Sequence, residues 1–165
     1  MITPTGALIL LVPALPIALW ATYSDMKRLK IPNKAVLALT AVWPLLGWLA
    51  VPTWTAWAWG FAFLAIGFLI GYLAFAFAGF PGGDAKYAAA MSPIFVGADF
   101  SFVLQVVLVC MLGATVLHQV IRLIPLVRRL APDWESWKRW RMVPFGMALS
   151  AMMIFYLVAA IWPQV

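Results

Sequence analysis

Residues 53–80 read TWTAWAWGFAFLAIGFLIGYLAFAFAGF, an uninterrupted apolar run without one charged side chain, and this run decides the class of fold. A helix needs roughly 17–25 apolar residues to cross the hydrocarbon core of a bilayer, and residues 53–80 exceed that. Residues 6–23, 35–51, 100–121 and 142–162 form further runs of the same kind. A shorter apolar piece, residues 87–98, becomes long enough only if its helix starts near Gly83. Composition agrees, because 10% of the chain is charged where a soluble domain has roughly a quarter. Mean hydropathy is +1.01. The sequence therefore predicts an all-α polytopic membrane protein, a six-helix bundle forming one domain over residues 1–165, with no room for a separate soluble domain.

The loop charges predict the orientation. Of eleven Lys and Arg, four lie between the first and second segments (Lys27, Arg28, Lys30, Lys34) and one, Lys86, between the third and fourth. The other six lie between the fifth and sixth (Arg122, Arg128, Arg129, Lys138, Arg139, Arg141). By the positive-inside rule these three loops face the cytoplasm and both termini lie outside. A five-helix count would put Lys86 opposite the six-charge cluster, so the pattern favours six. The net charge of +6 is then a topology signal and a contact for anionic membrane lipid, which argues against nucleic acid as a partner. The first segment has no basic stretch before it and positive charge after it, the reverse of a cleavable signal peptide, so it reads as an uncleaved anchor. One cysteine, Cys110, excludes a disulfide and a thiolate zinc cluster, and no metal or cofactor is expected.

Smaller signals organise the chain. Pro13, Pro16 and Pro44 fall inside apolar segments and suggest kinks that neighbouring helices can accommodate. Gly67 and Gly71 have the small-xxx-small spacing of close helix packing. Pro32-Asn33 reads as a stop followed by a cap for the second helix, and Asp99 as the cap of the fifth. Trp20, Trp54, Trp57, Trp140 and Trp162 sit at segment ends, where interfacial anchors belong. Residues 122–141 carry Asp133, Trp134, Glu135 and Trp137 among basic residues and suit a short amphipathic surface helix.

Against this background two acids stand out. Asp25 follows Tyr23-Ser24, and Asp84 sits in Phe80-Pro81-Gly82-Gly83-Asp84-Ala85-Lys86. Ionisable residues at the margins of membrane segments are costly and mark function. The six-segment layout brings both acids to the cytoplasmic side. Two carboxyls within reach share a proton near neutral pH, so one can activate water while the other donates a proton. Gly82 and Gly83 allow close backbone approach, and a helix starting there leaves unpaired N–H groups. Plainer readings stand beside this one. Asp84 alone suits a helix N-cap, Asp25 alone an acid paired with Lys27 or Arg28, Lys86 a snorkelling lysine and His118 a packed histidine. Ser24, Tyr87 and Ser92 have no visible triad partner.

The joint pattern resembles the type IV prepilin peptidase family. It comprises Asp25, a basic stretch, Ile31-Pro32-Asn33, then Gly82-Gly83-Asp84-Ala85-Lys86, and a closing Val143-Pro144-Phe145-Gly146. The short length is similar to the branch that serves tight-adherence (Flp) pili. The family motif is written Gly-x-Gly-Asp, and here Pro81 occupies its first position. The resemblance implies an intramembrane aspartic endopeptidase of the bacterial inner membrane with Asp25 and Asp84 as catalytic acids. It also implies a prepilin precursor as substrate, whose basic leader is removed at the cytoplasmic face. Larger members carry a cysteine-rich, zinc-binding methylase domain, and with a single cysteine this chain is expected to act as peptidase only. The rival reading is a small transporter or pilus-assembly factor whose acids bind a cation or relay protons. Transport sites lie near the midplane, whereas both acids here fall at helix ends.

Overall fold

The computed structural model describes residues 1–138 and 143–162, and every regular element among them is helical. Helix α1, Pro4–Arg28, starts at Thr3, whose side chain accepts the Gly6 amide. It stays continuous through Pro13 and Pro16 and ends where Leu29 adopts a left-handed conformation (φ 52°). The Leu29 N–H then closes on the Asp25 carbonyl at 2.7 Å. The helix thus runs past Tyr23, and Asp25 lies inside it rather than beyond it. Its buried face is a stripe of Ala7, Leu10, Ala14, Ala18, Ala21 and Asp25, spaced by three and four as one side of an α-helix requires. An alanine-lined stripe lets neighbours approach closely, and α8 and α2 pack along it.

Helix α2 spans Asn33–Ala50 and likewise continues through Pro44. Pro32 is its cap position, without a side-chain hydrogen bond, and Asn33 is the first helical residue. The stop expected from Pro32 comes earlier, at Leu29, and the fixed backbone of the proline instead begins α2 in place of an Asn33 side chain. Helix α3, Trp54–Ala78, is capped by Thr53 and ends at Gly79 (φ 65°). Gly60 is its only buried residue, so its large side chains point outward. It adheres through glycines: Gly60 on the Trp43 indole, Gly67 on Ala89 and Ser92, and Gly71 on Ala85. Gly67 and Gly71 are therefore packing residues.

Helix α4 covers Gly82–Met91 and passes into a 3-10 turn, Ser92–Phe95. Pro93 has no N–H with which to continue the α ladder. The two pieces together extend about 23 Å, short of the ~30 Å hydrocarbon core. Helix α5, Phe100–Leu123, is capped by Asp99, whose carboxylate accepts the Phe102 N–H at 2.8 Å. The basic loop holds two short helices, α6 (Pro125–Leu130) and α7 (Glu135–Lys138), in place of one amphipathic helix. Helix α8, Phe145–Ile161, is the last helix among the described residues. Arg139, Trp140, Arg141 and Met142 lie outside the described residues, including the expected start of the last segment and its Trp140 anchor.

Four helices, α1, α2, α3 and α5, are long and apolar enough to cross a membrane, and α8 is a shorter apolar helix. The protein is thus an all-helical, multi-pass membrane protein. Helix α1 is central, with α2 on one side and α8 on another; α5 backs α8, and α4 is wedged among α2, α3 and α8.

Candidate active site

Three helix ends converge: the C-terminal end of α1 and the N-terminal ends of α4 and α8. The stripe on α1 ends in Asp25, which is buried against α8. There the main-chain N–H of Gly146 donates to the Asp25 carboxylate at 2.7 Å. Gly146 is the second residue of α8, and the first amides of a helix have no partner within it. A carboxylate at that end gains a charge-assisted hydrogen bond and the favourable end of the helix dipole. No described basic group pairs with Asp25; Lys27 instead approaches the Tyr23 hydroxyl at 3.4 Å.

Asp84 lies in the first turn of α4 and is also buried. It is not the cap, since Pro81 holds that position in extended conformation. The turn before α4 is closed by Gly79, whose φ is positive, while Gly82 and Gly83 are already helical. What the two glycines allow is close approach. A Cβ on Gly82 would meet the Phe75 ring at 3.3 Å, and one on Gly83 would lie 3.5 Å from the Ile31 main-chain nitrogen. The first intrahelical bond comes from the Ala85 N–H to the Pro81 carbonyl. The amides of Gly82, Gly83 and Asp84 precede it, and no side chain caps this helix. They are donors available to a bound carbonyl.

Ile31 joins the two halves. Its side chain lies against Gly146, its backbone against Gly83. The loop that carries it is tied down by Ser24, whose hydroxyl donates to the Lys30 carbonyl at 2.9 Å. This junction lies between the two acid-bearing helix ends. A cavity of about 390 Å3 opens beside it, lined by Lys30, Ile31, Asn33, Pro81, Gly83 and Asp84. Beyond the glycines a second, mostly apolar cavity of about 450 Å3 separates α3 from α4, with Phe68, Tyr72 and Phe75 as walls. Exposed Lys86 lines this second cavity and forms no ion pair with either aspartate among the described residues.

The structure thus gathers Asp25, Asp84, Ile31, Gly82 and Gly83, with Asn33 lining the cavity, Pro32 opening α2 and Lys86 on the far side of α4. The sequence motif contains Gly146 without giving it a place in the site, and nothing in the sequence groups Tyr87 with Ser150. The Tyr87 hydroxyl lies 3.1 Å from Ser150, which donates to the Ala18 carbonyl at 3.2 Å, lacing α4, α8 and α1 beneath the acids. The sequence spacing that could have revealed this is the α1 stripe, which places Ala18, Ala21 and Asp25 on one face. His118 belongs elsewhere, fully buried and stacked on Trp137.

Residues 12–118 match the sequence model of the type IV leader peptidase family, a stretch that includes both aspartates and stops before Gly146. The chain belongs to that family. No curated protein and no solved structure matched it. This leader peptidase relative is accordingly a protease whose family implies prepilin-type substrates, carried on several apolar helices.

Proposed function

We propose that the protein is an intramembrane aspartic endopeptidase of the bacterial inner membrane that removes the basic leader of Flp-type prepilins at the cytoplasmic face. The observation that carries this reading is the Asp25–Gly146 hydrogen bond beside Asp84, two buried carboxyls joined across Ile31. Coupled carboxyls share a proton, and the Gly146 amide makes Asp25 the better holder of the charge. Asp25 then withdraws a proton from water as it attacks the scissile carbonyl, and Asp84 protonates the leaving amine. The amides of Gly82 and Gly83 are placed to receive the carbonyl oxygen.

The reading includes six membrane crossings with both termini outside, in one transmembrane domain over residues 1–165. Its support is that the end of α1 meets the starts of α4 and α8, as alternate crossings demand, on the side marked by the basic loops. It includes cleavage without N-methylation, supported by the single cysteine. The test is co-expression with a Flp-type pilin precursor, comparing wild type with Asp25→Asn and Asp84→Asn after checking membrane insertion. Both variants should lose processing, and mass spectrometry of the new N-terminus should show it unmodified. Processing at the wild-type rate by either Asn variant would sink the aspartyl mechanism.

A further inference from the structure

Behind the site, on the side of α1 away from α4, four rings form a ladder. Tyr23 meets Trp134 edge-on at 5.8 Å, Trp134 stacks on Trp137 at 5.4 Å, and Trp137 stacks on His118 at 5.5 Å. The ladder runs from α1 through the basic loop into α5. Trp137 and His118 are its buried members, and Trp137 is pinned by an indole N–H bond to the Ala131 carbonyl at 2.8 Å. It sits in an apolar cluster of Met26, Ala114, Met147 and Ala148.

Two of those neighbours adjoin the Asp25–Gly146 bond: Met26 follows Asp25, and Met147 follows Gly146. Tyr23 and Met26 are one helical turn apart and share a face of α1, with Asp25 turned about 100° from Met26. Trp134 and Trp137 therefore brace α1 on the face next to the one carrying the acid. A rotation of the α1 end about its axis would carry Asp25 away from the Gly146 amide, and the two tryptophans oppose it.

We propose that Trp137, seconded by Trp134, is a positioning residue that holds the end of α1 in the rotation at which Asp25 meets the Gly146 amide. This rests on the aspartyl reading above for its consequence in catalysis, but not for its geometry. Helix α7 packs chiefly on α1, whereas α4 packs on α2, α3 and α8. Loss of the indole therefore bears on Asp25 directly and reaches Asp84 only through α8.

The test separates these two sites. In a Cys110→Ser background, Asp25→Cys or Asp84→Cys is alkylated with a small water-soluble maleimide, with Trp137 intact or changed to Ala or Phe. Trp137→Ala should raise the rate several-fold at position 25 and leave position 84 unchanged, and Trp137→Phe, which keeps a stacking ring, should restore most of the protection. Equal rates at position 25, or parallel rises at both positions, overturn the proposal. Trp137→Leu serves if the alanine variant does not insert. In the chain with both aspartates, Trp137→Ala should lower kcat on the pilin precursor roughly 100-fold with little change in KM, the scale of a small misplacement of a catalytic group. A change confined to KM overturns it as well. The labelling needs no cleavage, so its failure is distinct from failure of the aspartyl reading, which Asp25→Asn decides.

Discussion

The Gly146 amide donates to the Asp25 carboxylate at 2.7 Å across 121 positions of sequence, and this bond joins the end of α1 to the start of α8. It satisfies a helix-end donor and a buried carboxylate at once. Each would otherwise be a costly unpaired group inside the bundle. A Cβ at this glycine would lie 2.9 Å from the carboxylate oxygen and 2.9 Å from the end of Ile31, so one or both side chains would have to shift.

Gly146→Ala should therefore push Asp25 and Ile31 apart without unfolding α8, whose intrinsic propensity alanine improves. Cleavage should fall on the order of 100-fold, since a misplaced acid costs rate rather than binding. Kinetics on a pilin precursor, with thermal unfolding in detergent alongside, checks it. Wild-type kcat in this variant would show that the bond does not position the acid.

Two glycines give opposite stability predictions. A Cβ at Gly60 would fall on the buried Trp43 indole, which donates to the Trp57 carbonyl at 3.0 Å, whereas a Cβ at Gly113 meets nothing within 4 Å. Gly60→Ala should destabilise by about 1–3 kcal/mol through overpacking. Gly113→Ala should be neutral or stabilising by up to about 1 kcal/mol through helix propensity. Thermal midpoints of the purified variants decide this, and equal midpoints would refute the α2–α3 contact.

Ser150→Ala should cost more than Tyr87→Phe. Removing the phenol leaves Ser150 bonded to the Ala18 carbonyl, a loss near the ~0.6 kcal/mol typical of one hydrogen bond inside a membrane bundle. Removing the serine strands the buried Tyr87 hydroxyl, which costs about 1–3 kcal/mol. The order of the two midpoints is the measurement, and a reversed order would mean that Tyr87 has another partner.

Sidedness can be read by labelling single cysteines in a Cys110→Ser background. Lys34→Cys, Lys86→Cys and Arg129→Cys should react with an impermeant reagent from the cytoplasmic side, and Pro52→Cys and Ser101→Cys from the outer side. Labelling of positions 34 and 86 from opposite sides would remove the shared face that the two acids require.

The sequence by itself determined the helical class, the membrane setting and most helix limits, and it singled out Asp25 and Asp84 as the candidate acids. Hydropathy and capping are local, additive signals: the residues 53–80 run, the Asp99 cap and the start of α2 after Pro32 are each written within a few residues of their effect. The same locality explains the misses. Hydropathy ended the first segment at Tyr23, but helical geometry does not stop at polar residues, so α1 carried Asp25 onto its buried stripe. The residue 87–98 piece was extended as one helix, but Pro93 ends the α ladder. Only the tertiary structure decided that the Gly146 amide meets Asp25, that Ile31 bridges the two carboxyl-bearing ends and that Trp137 packs beside Met26 and Met147. Those contacts depend on how distant helices are rotated and packed against one another, and no short window of sequence contains both partners.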